Sequence, residues 1–61
     1  MAGYRLYILN PRGHIVDAVE FHCEDDAAAQ ALAELHGEGR ATELWNDARV
    51  VRRYEARPSA A

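Results

Sequence analysis

The chain has 61 residues, a net charge of −3 and 49% hydrophobic residues, which leaves room for one domain with one thin core. No apolar run approaches the ~20 residues of a membrane span, and no basic stretch followed by an apolar core marks a secretory leader. A lone Cys23 excludes an internal disulfide, so a cytoplasmic protein is expected.

Tyr4 to Leu9 is rich in β-formers and reads as a first strand. Asn10-Pro11-Arg12-Gly13 follows as a tight reversal. Pro11 presets φ for a type I turn, Asn10 suits its first position, and Gly13 can close a three-residue loop in the left-handed conformation. His14 to Phe21 is the second strand. That loop predicts Ile8 opposite Val16 and Leu6 opposite Ala18, so Tyr4, Leu6, Ile8, Val16 and Ala18 share one apolar face. Arg5, Tyr7, Asp17 and Val19 then fall on the other.

Glu24-Asp25-Asp26 opens a helix that runs to His36, with Gly37 beyond its last turn. Asp25 or Asp26 can cap the free N–H groups, and His36 suits the negative end of the dipole. Ala28, Ala31, Leu32 and Leu35 fall at spacings of three and four and predict the face turned to the sheet. Ala41 to Trp45 and Arg49 to Ala56 read as a second hairpin around Asn46-Asp47-Ala48. Its register stays open: a two-residue turn pairs Trp45 with Val50 and Glu43 with Arg52, and a three-residue turn shifts both.

Domain boundaries follow at 1–57, with a disordered tail over 58–61. The predicted class is α+β: a ββαββ domain with a four-stranded sheet and one helix packed on one face. A right-handed crossover favours the order 2-1-4-3, with strands 1 and 4 parallel in the centre. Charge is unevenly placed. Residues 14–47 hold nine acids against Arg40 alone, whereas residues 48–61 hold four arginines against Glu55. Complementary charge on neighbouring strands accounts for this, and a basic patch for an anionic partner is the sharper alternative. All seven basic residues are arginine and twelve residues are alanine, which reads as the codon bias of a GC-rich bacterial genome.

The element order, Tyr4-Arg-Leu-Tyr-Ile-Leu-Asn10 and Trp45-Asn-Asp-Ala48 are similar to the β-grasp immunoglobulin-binding domains of streptococcal protein G. That resemblance implies a fold and no antibody binding. The chain also resembles short bacterial ββαββ proteins of unknown function. Tyr4, Leu6, Tyr7, Leu9, Gly13, Asp25, Asp26, Ala27, Ala28, Glu43, Leu44 and Trp45 carry this likeness, which implies no activity.

Little points to chemistry. His22, Cys23 and His36 lack the paired spacing of a zinc site, and adjacent His22 and Cys23 point to opposite sides of a strand. Cys23 beside a histidine can be written as a nucleophile, but Glu24, Asp25 and Asp26 oppose thiolate formation, and no oxyanion loop is visible. No enzyme, metal or cofactor is expected. The predicted role is a non-enzymatic protein-interaction module that pairs with itself or another protein through the uncovered sheet face or an edge strand. Tyr7, Arg5, Trp45 and Arg52 are its candidate contacts. The alternative is RNA or single-stranded DNA binding through Arg49, Arg53, Arg57 and Tyr54, where arginine meets phosphate and aromatics stack on bases.

Overall fold

The structure, a computed structural model, describes residues 2–56. Arg57 and the tail expected over 58–61 lie outside the described residues. The elements are β1 (Ala2–Leu9), β2 (Ile15–Cys23), α1 (Asp26–Gly37), β3 (Thr42–Asn46) and β4 (Arg49–Tyr54). They form one four-stranded sheet with the helix on one side. None of the described helices is long and apolar enough to cross a membrane.

The sheet order is β2-β1-β3-β4, and every neighbouring pair is antiparallel. This corrects the expected 2-1-4-3 order with parallel strands 1 and 4, and with it the strand arrangement that the β-grasp likeness implies. The physical reason lies in the strands themselves. β3 offers Thr42 and Leu44, 1% and 0% exposed, to the helix side, and can be buried in the centre. β4 reads Arg-Val-Val-Arg-Arg-Tyr, and its guanidinium groups need a rim where they reach water. β2 and β3 both oppose β1, so they run in the same direction, and the helix joins them across the intervening strand.

The first reversal forms as its residues dictate. Gly13 takes φ 83, its N–H donates to the Asn10 carbonyl at 2.8 Å, and the Asn10 N–H donates to the His14 carbonyl at 2.8 Å. The Asn10 Oδ1 also accepts from the N–H groups of Arg12 (2.9 Å) and His14 (3.0 Å). Next to the turn Leu9 opposes Ile15, but the register then shifts, so that Ile8 opposes Asp17 and Leu6 opposes Val19. Val16 is the extra residue of a bulge. Val19 and Phe21 therefore join Tyr4, Leu6 and Ile8 on the helix side, in place of the expected Val16 and Ala18, which are exposed. A second shift in β4 leaves Val51 as its extra residue: Trp45 opposes Val50, as a two-residue turn requires, yet Glu43 opposes Arg53 and not Arg52.

Asp25 caps the helix, its Oδ1 accepting the Ala28 N–H at 2.8 Å. At the other end Glu38, with φ 52, takes the left-handed position, and Gly37 is the last helical residue. The Arg40 side chain closes the end by donating to the carbonyls of Gly37 (3.0 Å) and His36 (3.2 Å). The buried stripe is Ala29, Ala33 and Gly37, each four residues from the next. The expected stripe is displaced to one side: Leu32 is half-buried, Ala28 and Ala31 are exposed, and Leu35 is 71% exposed. Tyr4, Leu6, Ile8 and Leu44 already fill the space above the sheet, so the helix settles with its smallest side chains inward. A Cβ on Gly37 would stand 3.3 Å from Thr42 Cγ2, so the helix lies close against β3 here.

One polar bridge fastens the helix start to the sheet. The Tyr4 hydroxyl donates to Asp26 Oδ1 at 2.7 Å, and Arg49 donates to both Asp26 oxygens at 3.3 Å. The hydrogen bond to Asp26 pushes the Tyr4 pKa up to about 12. The same bond, and then Arg49, hold the Asp26 carboxyl below its ordinary value.

Candidate interaction surface

Strand alternation carries Arg5, Tyr7 and Leu9 of β1 to the side away from the helix. Arg5 lies opposite Trp45 and Tyr7 opposite Glu43, so β3 presents Trp45 and Glu43 to the same side. Glu20 and His22 of β2 and Val50 and Arg53 of β4 extend this surface at either flank.

At its centre the Tyr7 and Trp45 rings meet edge to face, with centroids 6.2 Å apart and planes at 84°. The Arg5 guanidinium sits 6.0 Å from the Tyr7 ring centre, donates to the Tyr7 hydroxyl at 3.4 Å and pairs with Glu20. Tyr7, and then Glu20, raise the Arg5 pKa further, so the cation is permanent. Across the seam the Trp45 Nε1 donates to Glu43 Oε1 at 3.1 Å, and Arg53 lies 3.6 Å from Glu43 Oε2. The strand positions of this face thus carry two arginines and two glutamates. A shallow depression of about 290 Å³ runs beside the aromatic pair, between Arg5, Tyr7, Glu20, His22, Trp45 and Asp47.

Of the four expected contacts, the structure brings Arg5, Tyr7 and Trp45 together and leaves Arg52 out. Arg52 opposes Leu44 on the helix side, donates to Gln30 Oε1 at 3.3 Å and lies 5.1 Å over the Tyr54 ring. The bulge at Val51 puts it there. The nucleic-acid candidates are also divided. Arg49 is tied to Asp26 on the helix side, Arg53 to Glu43 on the open side, and Arg57 lies outside the described residues. Tyr54 is half-buried, with its hydroxyl donating to the Gln30 carbonyl at 3.4 Å; burial, then Glu34, raises its pKa. Arg53–Glu43 pairs complementary charge on neighbouring strands, as does Arg5–Glu20, whereas Arg49 finds its acid on the helix.

Cys23 is 4% exposed in the core, while His22 stands on the opposite side and His36 packs against Phe21 with ring centres 6.4 Å apart. Among the described residues no three His, Cys, Asp or Glu side chains gather as a metal-binding group. Sequence reasoning missed Glu20 and Glu43 as partners within the face, and Ile15 beside Leu9 at its end. Glu43 was legible from alternation with Trp45, and Ile15 from the three-residue loop, which pairs it with Leu9, whereas Glu20 depended on a bulge that no glycine or asparagine marks. Comparison with known proteins adds no relative: no family model, no curated protein and no solved structure matches this chain.

Proposed function

We propose that this chain is a non-enzymatic protein-interaction module that docks a protein partner on the sheet face left open by the helix. The observation that carries the reading is the Tyr7–Trp45 pair, set centrally on that face and flanked by Arg5. Tyrosine, tryptophan and arginine dominate the energetics of protein contacts because they bury large area around a polar handle. Leu9, Ile15 and Val50 add apolar surface around them, Ile15 being 56% exposed. The burial of Cys23 away from His22 supports the non-enzymatic part, and a single free thiol fits a reducing, cytoplasmic compartment.

Site-directed photo-crosslinking tests it. A benzophenone amino acid at position 7 is expected to give protein adducts, and the same probe at position 35, on the outer side of the helix, to give few. Equal yields at both positions, or none at position 7, refute the docking face.

A further inference from the structure

We propose that the occupant of the open face is a second copy of this chain, the two sheets packing face to face about a twofold axis. The axis runs along the strands, over the seam between β1 and β3. The inference rests on the reading of that face as a docking surface and names its partner.

The face is complementary to itself. β1 offers a cation and a phenol, Arg5 and Tyr7; β3 offers an indole and a carboxylate, Trp45 and Glu43, at the matching register positions. A twofold axis over the seam exchanges the two strands, so that Arg5 of one copy stacks on Trp45 of the other and the Tyr7 hydroxyl meets Glu43. Outward from the seam, Glu20 falls against Val50 and Arg53 against Ala18. No like charges are opposed. The two arginines and two glutamates at the strand positions of the face cancel, with Asp47 at its rim, so this side meets less repulsion than the net charge of −3 implies.

Both sheet edges are guarded against the competing mode of strand addition. On β2, Asp17 Oδ1 occupies the Ala18 N–H at 2.8 Å and the Val16 bulge breaks the ladder. On β4, Arg49, Arg52 and Arg53 would confront their own copies.

Sedimentation equilibrium of the full chain over a wide micromolar range tests the inference, with Trp45→Ala, Arg5→Gln and Leu35→Ala compared and circular dichroism confirming each fold. The native chain is expected to dimerise, Trp45→Ala to weaken the dimer roughly tenfold or more, and Leu35→Ala to leave it unchanged. Arg5→Gln weakens it too, and it keeps the inference testable should Trp45→Ala fail to fold. A native chain that stays monomeric throughout overturns the second copy alone, since the crosslinking probe at position 7 still reports other partners. A dimer indifferent to both Trp45→Ala and Arg5→Gln also overturns the second-copy contact on this face, while the docking face itself stands or falls by the crosslinking yield at position 7.

Discussion

Replacing Gly37 with alanine sets two effects of known sign against each other. Gly37 is a helical residue, and glycine in a helix costs about 1 kcal/mol relative to alanine, so propensity alone predicts that Gly37→Ala stabilises by that amount. The new Cβ, however, would lie 3.3 Å from Thr42 Cγ2 and 3.6 Å from its Oγ1. Thr42 is 1% exposed on a strand held between two others, so it cannot recede. Overpacking a site of this kind costs about 1–3 kcal/mol. The sum is a destabilisation between about zero and about 2 kcal/mol, or a fall in melting temperature of about 4–8 °C for each kcal/mol lost. Thr42→Ser removes the methyl group that the Cβ meets, and in that background Gly37→Ala is expected to give the full gain of about 1 kcal/mol. Urea unfolding of the four chains, followed by the fluorescence of Trp45, yields the coupling directly. If Gly37→Ala stabilises equally in both backgrounds, within the roughly 0.3–0.5 kcal/mol expected of independent sites, the helix does not approach the sheet as described and the reasoning fails.

Three other outcomes are expected. Leu6→Ala empties a site with no exposure at the middle of the core, at a cost of about 2–5 kcal/mol, against a total stability of roughly 3–9 kcal/mol for a domain of this length; circular dichroism should show it largely unfolded at physiological temperature. Asp25→Ala removes the acceptor for the Ala28 N–H and should lower stability by about 0.5–2 kcal/mol in the same urea assay, with no gain from adding salt. The Tyr4–Asp26 bond gives a signed pH dependence. Tyr4 has its pKa raised to about 12 in the folded chain, so its contribution is whole below pH 10 and is lost between 10 and about 12. Asp26 has its pKa lowered, so its contribution is present above the ordinary carboxylate range and is lost as pH falls through the lowered value. Melting temperature against pH should therefore fall less steeply on both limbs for Tyr4→Phe than for the native chain; parallel profiles would count against the bond.

Local features were legible where local chemistry decides them. Asn10, Pro11 and Gly13 fix the first turn, Asp25 fixes the helix start, and the alternation of Tyr4, Leu6 and Ile8 fixes the buried side of β1. Strand order was not legible from alternation, because the pattern within a strand does not name its neighbour. The arginines of β4 carried that information as a demand for solvent. The helix stripe was misread because leucines weigh most in a periodicity argument, while the packing selects the side with the least volume: Ala29, Ala33 and Gly37. In the candidate surface Arg5, Tyr7 and Trp45 were legible because β1 and β3 are regular. Arg52 was not, since one uncounted residue at Val51 reverses the side on which it stands.

Val16 and Val51 interrupt only the two flanking strands, whereas the central pair keeps an unbroken two-residue beat. Each flanking strand therefore carries one residue that faces no partner. Deleting Val16 or Val51 itself would make the ladder regular and keep every outlying pair, Leu6 with Val19 and Leu44 with Arg52 among them. Leu6 and Leu44 would stay where they are. Such a chain can lose one residue at either bulge while its interior is inherited intact.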